Sequence, residues 1–262
     1  MIAWMVLLAC AVYGFFCIYL YLRQRSLLYY PHPATSSSEA AVIWLEHDSQ
    51  RIKIWAVERG DGPALIYFGG NAEDVSGNLG LFKELVPDYS LYLMNYRGYG
   101  GSSGSPSESA LYADSLALFD RVRRQHDPVV VMGRSLGSGI ATYCAAQRPA
   151  AGVVLVTPYA SIAALAASHY PFMPVEPLIK DRYDSHRHAA GLAVPILALT
   201  AQRDEVIPKR ISDALVQSCN QGLIEHVEIG SSGHNDIEQF PSYRKHLKQF
   251  LDARAGALSE EP

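Results

Sequence analysis

The chain has few cysteines and no strong excess of charge. Its four cysteines (Cys10, Cys17, Cys144 and Cys219) form neither a C-x-x-C pair nor a Cys/His cluster with metal-ligand spacing. This pattern excludes a disulfide framework, so we expect the cysteines to act as packing residues. A formal net charge of −4 with scattered basic residues gives no footprint for nucleic acid. The sequence therefore predicts no metal, no cofactor and no nucleic-acid partner.

Charged side chains are also missing from residues 1–22. A helix of that length, at about 1.5 Å per residue, crosses the ~30 Å hydrocarbon layer of a bilayer. Trp4, Tyr19 and Tyr21 lie near its ends, where aromatic rings favour the membrane interface. A cleaved signal peptide is the alternative, but no basic region precedes the run and the run exceeds a typical signal segment. The sequence predicts an uncleaved, single-pass transmembrane anchor.

The segment after this span predicts the orientation and a linker. Arg23 and Arg25 follow the span and nothing basic precedes it, so the positive-inside rule favours a cytoplasmic domain. The opposite orientation stays open. Residues 23–40, with Pro31, Pro33 and a run of serines, are typical of a linker to the folded domain.

Residues 41–254 have the pattern of one α/β domain. Hydrophobic residues make up 49% of the chain, enough to argue against disorder and to fill one core. Continuous apolar strands alternate with helical segments, which predicts a mostly parallel, doubly wound sheet covered on both faces. Residues 159–190 are too few for a large cap domain. They are predicted to form a short lid over the substrate, or a segment that only covers the sheet. Residues 255–262 are expected to form a tail.

The segment Gly133-Arg134-Ser135-Leu136-Gly137 follows the apolar run 128–132 and precedes an alanine-rich helical pattern. A strand, a sharp turn carrying serine and a helix make the context of a nucleophile elbow. The turn strains the serine backbone, so glycines must flank it. The alternative is a glycine-rich turn with an incidental serine. The context favours Ser135 as a nucleophile, with the backbone N–H of Leu136 facing an oxyanion.

An activated serine needs a base, and the base needs an orienting carboxylate. In elbow enzymes both follow the serine, at the ends of later strands. Of the nine histidines, His234 alone follows the last predicted strand in a loop before the final helix. Asp204 follows the preceding strand and is the predicted acid. Glu205 is the alternative, and Asp236 is less favoured because it is close to His234 in the sequence.

The oxyanion needs a second N–H donor. The loop Gly69-Gly70-Asn71-Ala72 follows an apolar strand, and its glycines permit close approach of the backbone. An ordinary glycine turn is the alternative. We expect the backbone N–H of Asn71 to be this donor.

Five motifs in order resemble those of the membrane-anchored serine α/β-hydrolases, the α/β-hydrolase-domain proteins. They are Phe68–Ala72, Asn95–Ser102, Gly133–Gly139, Asp204 with Pro208, and His234–Asp236. The resemblance covers residues 41–253 and implies Ser135 as nucleophile, Asp204 as acid and His234 as base. Many relatives have His-Gly in place of Gly69-Gly70, which leaves the exact oxyanion donor open. The Asn95–Ser102 stretch resembles a structural turn of the family.

These features predict hydrolysis of an ester or thioester through an acyl-enzyme. Tethering favours lipid-like or acylated substrates at a bilayer, and the resemblance includes lysophospholipases and protein depalmitoylases. A small serine peptidase is one alternative, although prolyl-oligopeptidase-type enzymes usually carry a large extra domain. A catalytically silent, membrane-tethered binding protein is the other, because fold does not fix activity. The sequence predicts no oligomeric state.

Overall fold

The computed structural model describes residues 1–256, so residues 257–262 of the predicted tail lie outside the described part of the chain. The strands are β1 (Ala41–His47), β2 (Gln50–Val57), β3 (Ala64–Phe68), β4 (Ser90–Met94), β5 (Val129–Arg134), β6 (Gly152–Val156), β7 (Ile196–Ala201) and β8 (Ile224–Ile229). The helices are α1 (Ile2–Leu28), α2 (Leu79–Leu85), α3 (Glu108–Arg123), α4 (Leu136–Gln147), α5 (Ile162–His169), α6 (Val175–Leu178), α7 (Ser185–Ala189), α8 (Lys209–Ser218) and α9 (Pro241–Gly256).

The strands form one sheet in the order β1-β2-β4-β3-β5-β6-β7-β8. β1 and β2 make an antiparallel hairpin whose turn residues, Asp48 and Ser49, both have positive φ, as a tight hairpin turn with the right twist requires. β2 is also antiparallel to β4, and every later pairing is parallel. The predicted fold class, a mostly parallel doubly wound sheet, is confirmed.

The sheet separates two apolar cores, because successive side chains of a strand point to opposite faces. In β3, Ile66 packs in the core beneath α3, α4 and α8, whereas Leu65 and Tyr67 pack in the core beneath α2 and α9. All five β3 residues are buried, as the uninterrupted apolar run predicts for a central parallel strand. The carboxyl ends of the parallel strands therefore meet at one edge, where a site can form.

The first helix is longer than predicted. It does not end at residue 22 but continues to Leu28, and it is long and apolar enough, by length and composition, to cross a membrane. The extra turns are held by tertiary contacts, because Arg25 forms a two-bond ion pair with the buried Asp181. Propensity and hydropathy carry no information about that partner.

Residues 23–28 of the predicted linker therefore lie in α1, and residues that follow Leu28 pack against the domain. Tyr29 is buried, and its hydroxyl lies 2.9 Å from that of Tyr183. The carbonyl of His32 accepts from the N–H of Gly100, and the carbonyl of Thr35 accepts from the Lys53 ammonium. The chain leaving α1 is thus fixed to the domain instead of hanging free.

The connection from β6 to β7 contains the predicted lid segment (residues 159–190), here three short helices, α5 to α7. Its tip contacts α1: the Tyr13 hydroxyl donates to the carbonyl of Phe172, and the amide of Gln24 donates to the carbonyl of Leu178. The lid segment therefore lies between the first helix and the edge of the sheet.

Candidate active site

Ser135 occupies a strained turn between β5 and α4. Its φ of 49° and ψ of −117° are unfavourable for a side chain with a Cβ, as the predicted elbow requires. Neighbouring groups hold the strain in place. The Ser135 N–H donates to the carbonyl of Val156, while the N–H and hydroxyl of Ser138 both donate to the Ser135 carbonyl. The serine side chain is thereby fixed at the carboxyl edge of the sheet.

The two glycines of the elbow are required by space. A Cβ on Gly133 would lie 2.1 Å from the carbonyl oxygen of Gly137, inside the turn itself. A Cβ on Gly137 would lie 2.0 Å from the carbonyl oxygen of Phe68 at the end of β3. The second contact shows that the start of α4 packs directly against the loop after β3, which brings the two predicted oxyanion segments together.

His234 and Asp204 lie in line with the serine. The Nε2 atom of His234 is 3.0 Å from the Oγ of Ser135, and its Nδ1 is 2.9 Å from an Asp204 oxygen. Both the Asp204 and His234 side chains are only 6% exposed. A carboxylate only accepts hydrogen bonds, so Nδ1 donates to Asp204 and leaves Nε2 to accept the serine proton.

The Asp204 carboxylate is itself fixed by the backbone of its loop. Its Oδ1 accepts from the N–H groups of Val206 and Ile207, at 2.9 and 2.7 Å, just before α8 begins. These bonds orient the carboxylate toward the imidazole before any substrate binds. The residue that caps the loop is thus the same residue that holds the histidine.

The two alternative acids contact the histidine loop but not the imidazole. Glu205 accepts from the backbone N–H of His234 at 3.4 Å, and Asp236 accepts from the N–H of Gly233 at 2.7 Å. Both carboxylates therefore shape the loop that presents His234. Other histidines after the elbow have other partners: His186 contacts the carbonyl of Ala160, His226 contacts Thr200 and His246 contacts Glu225.

The loop after β3 lies against the serine, since a Cβ on Gly70 would be 3.6 Å from the Cβ of Ser135. The N–H of Gly70 is already used by a Glu73 oxygen at 2.6 Å. The N–H groups of Asn71 and Leu136, in contrast, have no acceptor among residues 1–256. Two unused donors thus belong to the two segments that flank the serine.

The Asn71 side chain joins this loop to the chain that leaves α1. Its amide donates to the carbonyl of Leu28 at 2.6 Å, and its oxygen accepts from the Tyr30 N–H at 3.0 Å and the Tyr99 hydroxyl at 2.8 Å. Sequence reasoning selected Asn71 for its backbone and missed this role of its side chain.

Sequence reasoning also missed an ion pair beneath the site. A guanidinium nitrogen of Arg134 lies 3.3 Å from Glu73, and another donates to the carbonyl of His234 at 3.2 Å. Glu73 also accepts from the Gly70 N–H. The pair therefore ties the elbow, the β3 loop and the histidine loop together. The signal in the sequence was Arg134 itself. An arginine directly before the serine is expected to be largely buried, and a buried guanidinium needs a carboxylate partner.

Within residues 1–256, no group of three His, Cys, Asp or Glu side chains is arranged to hold a metal ion. The arrangement that is present, a serine hydroxyl hydrogen-bonded to an imidazole that is held by a carboxylate, is chemically suited to activating a hydroxyl for nucleophilic attack.

Comparison with known proteins finds relatives in sequence and in fold. Residues 64–175 match the hydrolase family described as serine aminopeptidase, S33. An uncharacterized Mycobacterium tuberculosis protein is 34% identical over 236 residues, 84% of each chain. The α/β hydrolase domain-containing protein 17B of Xenopus laevis is 30% identical over 199 residues, 71% of this chain and 65% of that protein. The lysophosphatidylserine lipase ABHD12 of Xenopus tropicalis is 28% identical over 246 residues, 80% of this chain and 63% of that protein.

The chain thus spans slightly less than two thirds of these two Xenopus relatives. Among solved structures, a Pyrococcus furiosus esterase superimposes with a TM-score of 0.71 at 14% identity, over 87% of this chain and 98% of that one. That likeness concerns the fold. The chain therefore has the α/β-hydrolase fold and is similar in sequence to the α/β-hydrolase-domain proteins.

Proposed function

We propose that this α/β-hydrolase is a serine hydrolase that cleaves carboxylic esters or thioesters through an acyl-enzyme. The observation that carries the proposal is the hydrogen-bonded line Ser135–His234–Asp204, with 3.0 Å from Oγ to Nε2 and 2.9 Å from Nδ1 to the carboxylate. An incidental serine and an incidental loop histidine would not be expected to form such a line, with the serine in a strained turn and the histidine almost completely buried. The strain is consistent with a functional position.

The reaction follows from the roles of these atoms. Ser135 Oγ attacks the acyl carbon as His234 Nε2 takes the hydroxyl proton, and Asp204 stabilises the resulting imidazolium. The carbonyl oxygen becomes an oxyanion that accepts from the N–H groups of Leu136 and Asn71. The tetrahedral intermediate collapses, the bond to the alcohol or thiol breaks, and the leaving group takes the proton from His234. Water, deprotonated by His234, then releases the acid and restores the serine.

We further propose that α1 anchors the enzyme in a membrane and that its substrates are lipid-like acyl compounds. The apolar length of α1 and the contacts of Tyr13 and Gln24 with the lid segment support this. One relative is a lysophosphatidylserine lipase, which agrees with substrates of this class. Arg23 and Arg25, at the end of α1, favour a cytoplasmic position for the domain.

A peptidase is the second candidate, because the matched family is described as a serine aminopeptidase. An aminopeptidase needs a free carboxylate to bind the substrate's α-ammonium group. A cavity lies between α1 and the lid segment, and the one acidic side chain that lines it, Asp181, is already paired with Arg25. Ester hydrolysis is therefore favoured over peptide hydrolysis, and an aminoacyl anilide serves as the test substrate for peptidase activity.

The test uses the full chain in detergent micelles with a fluorophosphonate probe, nitrophenyl esters and an aminoacyl nitroanilide. We expect labelling and ester turnover, both lost in Ser135→Ala by at least ~10³-fold in turnover. Ser218→Ala, at the end of α8, is the matched control and should stay within about twofold. Labelling that persists in Ser135→Ala would refute the nucleophile. Neither labelling nor turnover in the wild type would favour the silent binding protein, and faster anilide cleavage would favour the peptidase.

A further inference from the structure

We infer that α1 and the lid segment together form the binding site for the substrate's acyl tail, so that the predicted anchor is also a wall of the specificity pocket. This inference rests on the proposed function. A cavity of about 180 Å³ lies between the two elements. Cys17, Leu20 and Leu28 line it from α1, and Ala166, Met173 and Leu178 line it from the lid segment.

The chemistry of the cavity fits a hydrocarbon chain. The amide and the carboxylate that line it already have partners: Gln24 donates to the carbonyl of Leu178 and accepts from the Lys180 N–H, and Asp181 is paired with Arg25. Apart from the hydroxyls of Tyr21 and Tyr170 and the thiol of Cys17, the remaining lining side chains are apolar. An apolar cavity of about 150 Å³ can hold a benzene molecule, so this one has room for part of a single alkyl chain.

One end of the cavity lies beside the most apolar part of α1. Cys17 and Met173 line this end, and nearby the Tyr13 hydroxyl donates to the carbonyl of Phe172. The Phe172 side chain is 86% exposed, although it is large and apolar. If α1 spans the bilayer, the tip of the lid segment dips into the hydrocarbon layer with Phe172 facing lipid. A lipid tail can enter here without crossing water.

The other end of the cavity is linked to the candidate active site through the side chain of Asn71. Leu28 lines this end, and its carbonyl accepts from the side-chain amide of Asn71. Asn71 follows Gly70, which lies against Ser135. From Cys17 to Leu28 the helix rises about 16 Å, so the cavity extends along α1 from the bilayer toward the serine. An ester bond at Ser135 would leave its acyl tail lying back along α1 toward the membrane.

The geometry therefore assigns chain-length selection to α1 as well as to the lid segment. A long acyl tail contacts both walls, whereas a short acyl group stays near the serine and contacts neither. Burial of each further methylene group favours binding, so the wild type should prefer long chains over short ones.

The test measures kcat/KM of the full chain in detergent micelles for butanoyl and dodecanoyl nitrophenyl esters. Leu20→Trp fills the cavity from α1, and Ala166→Phe fills it from the lid segment. Leu22→Trp is the matched control, because it makes the same change on the same helix at a side chain that is 68% exposed and outside the cavity. We expect both filling variants to lower the dodecanoyl-to-butanoyl ratio at least tenfold, which corresponds to about two excluded methylene groups. The control should keep the ratio within about twofold.

The butanoyl ester separates the possible failures. No serine-dependent turnover of either ester would refute the proposed function itself. Normal butanoyl turnover with an unchanged chain-length ratio in both filling variants would refute the acyl-tail site and leave the proposed function standing, and the cavity would then hold only a bystander lipid. A filling variant that fails to fold loses the butanoyl activity too, and the other variant then decides.

Discussion

The side chain of Asn71 offers a direct measure of how strongly the segment after α1 supports the proposed oxyanion hole. Asn71→Ala keeps the backbone N–H but removes three hydrogen bonds, those to the Leu28 carbonyl, the Tyr30 N–H and the Tyr99 hydroxyl. At about 1 kcal/mol net for each bond, the loop loses about 3 kcal/mol of its positional stability. At about 1.4 kcal/mol per factor of ten, kcat should fall up to about 10²-fold.

The expected pattern is a fall in kcat with little change in KM, because the N–H of Asn71 is proposed to bind charge that develops only in the transition state. The measurement is steady-state turnover of a butanoyl nitrophenyl ester by the full chain. Tyr99→Phe provides the graded control: it removes the hydroxyl but leaves the Leu28 bond, and should cost about tenfold or less. An Asn71→Ala variant with wild-type kcat, or with a raised KM alone, would refute the reasoning.

Three further changes test the structure around the site. In Gly137→Ala the new Cβ would lie 2.0 Å from the carbonyl oxygen of Phe68, at the end of β3. Labelling by the fluorophosphonate probe, measured by gel fluorescence, should therefore be lost. Retained labelling would contradict this packing. Asp114→Ala removes both bonds from the completely buried carboxylate to the Arg97 guanidinium, at 2.7 Å each, and should destabilise the fold by about 3–5 kcal/mol. A melting temperature equal to that of the wild type would show that the pair is dispensable. Burial raises the pKa of the Cys144 thiol to about 12, so iodoacetamide at pH 8 should modify Cys144 only after unfolding, as mass spectrometry would show. Rapid modification of the folded chain would mean that the thiol is reached by solvent.

The sheet was predictable because its signal is local. The apolar run that forms β3 has to be a buried strand, and Gly133 and Gly137 mark a turn that no other residue fits. The positions of Asp204 and His234 followed from the rule that side chains at the carboxyl ends of parallel strands meet at one edge. Their distances to Ser135 agree with that rule, whereas their catalytic roles stay predictions.

The parts that sequence reasoning missed depend on partners distant in the chain. The end of α1 is set by the ion pair of Arg25 with Asp181, which are separated by 156 positions. The ion pair of Arg134 with Glu73 joins segments 61 positions apart. Neither pair has a periodicity or a spacing that a single sequence reveals. The sequence predicts Arg25 only as a charge that follows the apolar run, because nothing near it in the chain points to Asp181.

The junction at Leu28 to Tyr30 connects these observations into one physical argument. These three residues lie at the end of α1, pack into the domain through Tyr29, and hold Asn71 in the loop that faces Ser135. A flexible linker would let the anchor and the site move independently. If α1 spans a membrane as proposed, a junction fixed by buried contacts gives the site one position relative to it, because any tilt of α1 has to displace the Asn71 loop or break its hydrogen bonds. With the proposed lipid substrate, a fixed height above the bilayer would keep the scissile bond within reach of the serine while the tail stays out of water.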